Sequence, residues 1–234
     1  MQDIYDALVT AVRLMLGLNH DLLEIVAVSL QVSCSGVLLA ALVALPLGGA
    51  IALLHFPGRR FLIVGMNALM GLPPVVVGLV VYLLLSRSGP LGGFGLLFTI
   101  TAMIIAQCLL VIPLIAALAR QVFEDLWTEY AEQLRSLGAE AGRAVFTLLR
   151  EGRYSLLTVL LAGFGRAIAE VWAVLIVGGN IAHHTRTMTT AIVLETSKGD
   201  LPLALALGII LIILASVINA FVYFSKDLVE YYSA

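Results

Sequence analysis

The chain has 234 residues, of which 61% are hydrophobic and only 12% are charged, and its formal net charge is −2. An ordinary soluble domain has about 25% charged residues, so this composition excludes that class, and the slightly acidic balance gives no basis for binding nucleic acid. The mean hydropathy of +1.07 indicates a polytopic membrane protein.

Residues 1–20 form the first predicted element, and their character is mixed. Asp3, Asp6 and Arg13 interrupt an otherwise apolar pattern. Such a pattern is typical of an amphipathic helix that lies in the membrane interface. A sixth membrane span is the alternative, and it would move the N-terminus to the cytoplasmic side without changing the rest of the topology.

Five apolar stretches follow, each long enough to cross a bilayer, which takes about 20 apolar residues in a helix. The runs are continuous rather than alternating, so they are predicted to be helices and not barrel strands. We therefore predict an all-α polytopic fold in which residues 1–234 form a single domain. The predicted spans are Glu24–Phe56, Phe61–Ser86, Leu96–Ala119, Ser155–Gly179 and Leu201–Phe224.

The second span contains two consecutive prolines, Pro73 and Pro74. Proline removes a backbone donor and clashes with the preceding turn, so the helix is expected to kink or open at this point. Carbonyl groups freed at membrane depth must face protein or a water-filled cavity, which makes the two prolines candidates for a transport pathway. A kink used only for packing is the alternative.

The longest polar segment, residues 121–154, separates the third and fourth spans. Its apolar residues recur at i, i+3, i+4 and i+7, which is the pattern of one helix face. Gly138 lies between the two halves, where glycine readily ends a helix. The segment therefore predicts two short amphipathic helices that serve a partner protein. The apolar positions are Phe123, Leu126, Trp127, Tyr130, Leu134 and Leu137, then Ala141, Ala144, Val145, Leu148 and Leu149.

The fourth span carries two charges, Arg166 and Glu170, four residues apart on one helix face. At this spacing the side chains can form an ion pair. Each charge costs at least about 2.5 kcal/mol at the centre of a membrane helix, so both should be turned away from lipid. The pair either fixes the helix register or a subunit contact, or it meets a transported anion.

The segment from Asn180 to Asp200 is predicted to be a loop between the last two spans. Arg186, Thr187 and Thr189 offer guanidinium and hydroxyl donors, which suit a tetrahedral oxyanion. Solvated loop residues without a ligand are the alternative.

Histidine and cysteine give no reason to expect a metal or a disulfide. His183 and His184 are adjacent, and adjacent side chains point in different directions on a helix or a strand. Cys34 and Cys108 both lie within apolar spans.

The distribution of basic residues predicts the orientation in the membrane. The connections on one side are rich in Lys and Arg and include Arg59, Arg60 and residues 121–154, whereas the other side includes Arg186 and Lys198. The richer side is expected to be cytoplasmic. Residues 121–154 and the C-terminus are therefore predicted inside, and the Asn180–Asp200 segment outside.

Four stretches of the sequence resemble motifs of a known transporter family. The run EQLRSLG from Glu132 to Gly138 resembles the EAA-x-x-x-G loop of ABC importer permeases, with Gln133 and Leu134 in place of the two alanines. Residues 71–78 with 86–92, and residues 165–170 with 178–181, resemble segments of the molybdate and tungstate permeases. Residues 185–196 most resemble the tungstate branch.

This resemblance implies a type I ABC importer transmembrane domain in a prokaryotic inner or plasma membrane. The implied function is an ATP-driven import pathway for tungstate, with molybdate or sulfate as the alternative cargo. The implied partners are a second copy of the chain, cytoplasmic ABC ATPase subunits, an extracytoplasmic oxyanion-binding protein and the lipid bilayer.

The resemblance also assigns residues to roles. The chain has no G-x-x-x-x-G-K-[ST] phosphate loop, so it is expected to be a transport subunit without catalytic residues, cofactor or metal of its own. Candidates for contact with the ATPase are Glu132, Gln133, Leu134, Gly138, Ala139 and Arg143. Candidates for the pathway or its gate are Pro73, Pro74, Arg166, Glu170, Asn180, Arg186, Thr187 and Thr189.

An ion-coupled secondary transporter is the main competing class. Such proteins usually have internal repeats and acidic or histidine side chains at mid-membrane depth. The sequence has no convincing repeat, and Glu170 already has Arg166 as a neighbour. A membrane scaffold that transports nothing would explain the spans but not the prolines within one of them.

Overall fold

The computed structural model of the chain describes residues 2–17, 20–136 and 141–233, and their regular structure is helical throughout. This agrees with the predicted all-α class. The α-helices are α1 Gln2–Leu16, α2 His20–Leu53, α3 Arg59–Met70, α4 Pro74–Leu85, α5 Ile100–Ser136, α6 Ala141–Glu151, α7 Arg153–Ile168, α8 Trp172–Gly178, α9 Met188–Lys198 and α10 Leu201–Ser233, with a short 3-10 helix at Gly92–Phe94.

Helix length and hydropathy support the predicted number of spans within the described part of the chain. Three helices are long and apolar enough to cross a membrane, α2, α5 and α10, and two bent helix pairs bring the number to five. Helix α1 has 15 residues, about 22 Å, and is not among them. It packs along α10, where its Ala11 joins a buried cluster with Leu207 and Ile210.

The second and fourth predicted spans are broken rather than single helices. The α3–α4 pair bends by 99° at the prolines, and the α7–α8 pair bends by 59° at residues 169–171. The first break was predicted, and the second corrects the prediction of one continuous span. Such a break is tolerated inside a membrane protein because neighbouring side chains satisfy the freed backbone groups.

A second correction concerns the polar segment 121–154, whose first half is not a separate short helix. Helix α5 continues without a break from Ile100 to Ser136. Phe123 is fully buried, and Trp127 and Tyr130 pack against the same core, so the apolar stripe extends the core beyond the membrane span. Because residues 120–136 include neither Gly nor Pro, nothing local ends the helix there.

Helices α2 and α5 form the central pair of the fold and approach each other closely. A Cβ atom added at Gly48 would lie 2.8 Å from the carbonyl oxygen of Ala116 and 3.0 Å from the amide nitrogen of Arg120. Both of these are backbone atoms, which no side-chain rotation can move away. A second link joins α5 to α7, where Gln107 Nε2 donates to the Ala167 carbonyl over 2.8 Å.

Gly48→Ala is therefore expected to lower the free energy of unfolding by about 1–3 kcal/mol, the usual cost of an added group in a tightly packed core. Thermal unfolding in detergent measures this effect. Gly65→Ala is the matched control, because a Cβ at Gly65 of α3 meets nothing within 4 Å. Equal melting temperatures for the two variants would contradict the close approach of α2 and α5.

Candidate transport pathway and coupling surface

The break between α7 and α8 is built around the ion pair of Arg166 and Glu170. Arg166 Nη1 lies 2.5 Å from Glu170 Oε2, as the spacing of four residues predicted. The Glu170 side chain is only 2% exposed, whereas that of Arg166 is 34% exposed. A buried carboxylate is thus held by a guanidinium that is still accessible from outside this chain.

Two further hydrogen bonds hold Glu170 in place, and neither was visible in the sequence pattern. Its Oε1 accepts a hydrogen bond from the Ala173 amide over 3.2 Å, at the start of α8. The main-chain carbonyl oxygen of Glu170 accepts a hydrogen bond from Thr189 Oγ1 over 2.9 Å. These bonds satisfy polar groups at the break, which explains why the helix can bend here.

The outer segment predicted as a loop contains helix α9, and the threonines at and just before the start of this helix are buried. Thr187 caps this helix, since its hydroxyl accepts from the Thr190 amide and the Thr190 hydroxyl accepts from the Thr187 amide. Thr187 Oγ1 also lies 3.1 Å from Thr189 Oγ1. The hydroxyls therefore fix α9 against the α7–α8 break, and the alternative of solvated loop residues does not hold for them. Contact of Thr187 and Thr189 with an anion stays a prediction.

Asn180 and Arg186 precede this network in the chain. Asn180 has a positive φ of 49°, and its Nδ2 donates to the Thr190 carbonyl over 3.4 Å. Arg186 is half-buried and lines a cavity of about 260 Å³ with Asp21 and Glu195. These carboxylates would compete with an oxyanion for the guanidinium, so the surroundings of Arg186 differ from those expected of an isolated anion site.

Pro73 and Pro74 lie at the sharper of the two bends that interrupt predicted spans. Pro73 has an extended backbone, with φ −64° and ψ 121°, and Pro74 is the first residue of α4. An apolar groove of about 380 Å³ runs beside the bend, between α4 and the part of α5 that contains Pro113. Its lining residues have no polar side chain, so the groove offers an oxyanion no side-chain donor.

Within the described part of the polar segment, the apolar stripe of α6 faces the rest of the chain. Ala144 and Leu148 of α6 are fully buried. Val145 packs against α2, where its Cγ1 lies 2.9 Å from the position that a Cβ of Gly49 would occupy. The apolar stripe of α6 therefore contacts the spans of its own chain, and a partner must recognise the other side of the helix.

That other side carries Phe146, which the sequence pattern did not single out. Phe146 is 79% exposed although it belongs to a helix with a well-defined apolar stripe. One feature of the sequence does point to Phe146 as a contact residue. It is a large aromatic residue that lies off the apolar stripe, next to Thr147 and near Arg150.

The structure describes only some of the residues that are predicted to contact the ATPase. Glu132 and Gln133 are exposed at the end of α5, and Leu134 is half-buried. Gly138 and Ala139 lie outside the described residues, as does the side chain of Arg143.

An unexpected contact joins the outer segment to the start of α2. His183 Nδ1 lies 2.8 Å from Glu24 Oε2, and this hydrogen bond raises the pKa of His183 above its usual value. Ligand atoms of His20, Asp21 and Glu24 also lie within 4.8 Å of one another. Two of those three residues are exposed and Glu24 is engaged with His183, so we assign no metal to them.

Because its pKa is raised, His183 is expected to stabilise the folded chain below the ordinary histidine pKa of about 6.5 and to lose this contribution as the pH rises through its folded pKa. An NMR titration measures the pKa directly. Glu24→Gln should move the His183 pKa back toward the ordinary value. The same His183 pKa in both proteins would show that Glu24 does not hold it.

Comparison with known proteins places the chain in a family. Residues 36–231 match the family described as "Binding-protein-dependent transport system inner membrane component". The chain is 40% identical to the tungstate uptake system permease protein TupB of Peptoclostridium acidaminophilum, over 95% of this chain and 98% of that protein. It is 36% identical to TupB of Campylobacter jejuni, over 92% of this chain and 90% of that protein. It is 43% identical to the "Probable anion ABC transporter permease protein" of Haloferax volcanii, over 85% of this chain and 88% of that protein. The chain therefore belongs to the family of binding-protein-dependent transport system inner membrane components.

Proposed function

We propose that the chain is the membrane-spanning permease subunit of an ATP-driven importer whose cargo is an oxyanion, with tungstate as the preferred one. The observation that carries this proposal is the similarity to two tungstate uptake permeases. Each alignment covers at least 90% of this chain and at least 90% of the relative. The motifs at residues 71–78, 132–138 and 185–196 support the same assignment. Molybdate and sulfate are the alternative cargoes, since all three are tetrahedral divalent oxyanions.

In this proposal two copies of the chain enclose the pathway in a prokaryotic cell membrane, with the C-terminus in the cytoplasm. A 34% exposed Arg166 side chain within a membrane span supports a paired arrangement, because a guanidinium directed at lipid is costly. A second copy or a water-filled path between two copies provides the polar surroundings that it needs.

The Arg166–Glu170 pair suits a pathway that must release its cargo. A lone cation would hold a divalent anion tightly, whereas conduction requires sites that bind weakly enough to let the ion leave. Glu170 neutralises most of the charge of Arg166 and keeps its guanidinium in one place. The accessible part of the guanidinium is then a weak, fixed donor for a passing oxyanion.

The coupling to ATP is assigned to the exposed residues of α6 and the end of α5. Cytoplasmic ABC ATPase subunits would bind Phe146 together with Glu132 and Gln133, and they would carry out all of the ATP hydrolysis. Since α6 packs on α2 through Val145, a displacement of α6 is passed to the spans. An extracytoplasmic binding protein would deliver the oxyanion, and transport would proceed by alternating access between two arrangements.

Co-purification with the cognate ATPase tests the assembly on which this proposal depends. The permease should form a stable complex with the ATPase, and the oxyanion-loaded binding protein should stimulate ATP hydrolysis. A permease that fails to bind a demonstrably folded ATPase would overturn the proposal. Uptake driven by an ion gradient without any ATPase would favour a secondary transporter instead.

A further inference from the structure

At the inner ends of the spans, three charged side chains from two helices form one cluster, the Arg59–Glu124–Arg120 cluster. Arg59 Nη2 lies 2.6 Å from Glu124 Oε1, and Arg120 Nη1 lies 2.5 Å from Glu124 Oε2. The exposed fractions of the Arg59, Glu124 and Arg120 side chains are 28%, 35% and 12%. One carboxylate thus binds two guanidinium groups, one through each oxygen.

Arg59 connects this cluster to one more element, the end of α2. It is the first residue of α3, and its Nε donates to the carbonyl of Ile51 over 2.6 Å. Its Nη2 also donates to the carbonyl of Ala52 over 3.3 Å. These carbonyls belong to the last turn of α2, whose final carbonyl groups have no partner within the helix. A single guanidinium therefore joins the end of α2, the start of α3 and the side of α5.

The cluster lies between the exposed end of α5, which we assign to contact with the ATPase, and the membrane-spanning part of α5. On α5 it falls between the buried Ala119 and the extension that ends at Ser136. On α2 it is adjacent to a close approach of the two backbones, since the amide of Arg120 lies 3.0 Å from the Cβ position of Gly48. The cluster is therefore one direct connection between the α5 extension and the ends of α2 and α3.

From the cluster, α3 leads to the break at Pro73 and then into α4. The α3–α4 bend of 99° is sharp enough that a rotation of α3 changes the direction of α4. The hydrogen bonds of the cluster join ionised groups, and such bonds are about twice as strong as those between neutral groups. Partial burial also protects them from the screening that makes an exposed ion pair nearly worthless.

We propose that Glu124 is a positioning residue for transport. It makes α2 and α3 move together with the extension of α5 that contacts the ATPase. This inference rests on the proposed ATP-driven function. Glu124 does not contact the cargo or the ATPase in this account. Its role is to keep the three helix ends connected while the complex changes between its two arrangements.

The test is the number of oxyanions transported per ATP hydrolysed, measured in proteoliposomes that contain the permease, its ATPase and its binding protein, with tungstate as the probe. Glu124→Gln keeps the size of the side chain but removes its charge, so both guanidinium groups lose the carboxylate that they share. We expect the ratio to fall by about tenfold, within the range of typical coupling free energies. Asp125→Asn is the matched control, since Asp125 is exposed on the next position of α5, and its ratio should equal that of the wild type.

A purely structural role of Glu124 predicts a different outcome. It would reduce the yield or melting temperature of the complex and lower hydrolysis and transport in equal proportion, which leaves the ratio unchanged. An unchanged ratio in Glu124→Gln overturns the inference. If that variant does not assemble, the same ratio is measured for Arg59→Lys. Lysine lacks the planar guanidinium that binds the two α2 carbonyls and Glu124 together. A lowered ratio then supports the role and a wild-type ratio overturns it.

The same experiment separates this inference from the proposed function. If the wild-type complex shows no ATP-dependent transport of tungstate, molybdate or sulfate, the proposed function fails. If the wild type transports normally and the variants show its ratio, only the role of Glu124 fails.

Discussion

Glu170→Ala is expected to lower the free energy of unfolding by about 3 kcal/mol, at the low end of the cost of breaking a buried ion pair. The variant removes the carboxylate that pairs with Arg166 and the acceptor of the Ala173 amide. The low end applies because Arg166 is 34% exposed and recovers some hydration. Thermal unfolding in detergent should show a decrease in melting temperature on the order of 10 °C.

Lys198→Gln is the control for this prediction. Lys198 also pairs with a glutamate in its own helix, since its Nζ lies 2.8 Å from Glu195 Oε1, but the Lys198 side chain is mostly exposed. Exposed pairs contribute about 0–1 kcal/mol, so the melting temperature should hardly change. If Glu170→Ala melts no lower than Lys198→Gln, the ion pair does not hold the α7–α8 break together.

Phe146→Ala is expected to weaken binding of the ATPase by about thirtyfold, which corresponds to the loss of an aromatic anchor at the centre of an interface. Phe146 is 79% exposed in the isolated chain, while the apolar stripe of its helix is buried against α2 and α5. An exposed aromatic ring on a helix that is otherwise fixed to the spans is therefore the best available anchor. Titration of the purified permease with its ATPase measures the dissociation constant.

The matched control is Phe94→Ala. Phe94 is 73% exposed, close to the value for Phe146, but it belongs to the 3-10 helix after α4, on the side predicted to be outside. This variant should bind the ATPase like the wild type. Equal affinities of the Phe146→Ala and wild-type proteins would exclude Phe146 as an anchor, and an equal loss in both variants would contradict the predicted orientation.

Local sequence patterns predicted the features that depend on neighbouring residues. Continuous apolar runs located the spans, because burial in lipid requires about 20 apolar residues in a row. The four-residue spacing of Arg166 and Glu170 predicted an ion pair that the structure contains. The missing donors of Pro73 and Pro74 predicted the break of the second span.

Features that depend on contacts between distant residues were missed. The break at residues 169–171 depends on a hydroxyl from Thr189, which lies beyond the end of the span. The salt bridge of Arg59 and Glu124 joins residues 65 positions apart, so no helical period connects them. The change from apolar to polar residues after Ala119 predicts a separate helix. The structure instead continues α5 to Ser136, with Phe123 fully buried in the core.

Uptake of radiolabelled tungstate into proteoliposomes tests whether the chain forms the pathway of an ATP-driven oxyanion importer. The vesicles contain the permease with its ATPase and hold ATP on the ATPase side, and the binding protein is added on the other side. Tungstate, molybdate and sulfate are each titrated over the same range of concentrations. We expect uptake that requires ATP, the ATPase and the binding protein together, and we expect it to begin at the lowest concentration for tungstate. Complete, folded complexes that accumulate none of the three oxyanions would contradict the proposed function.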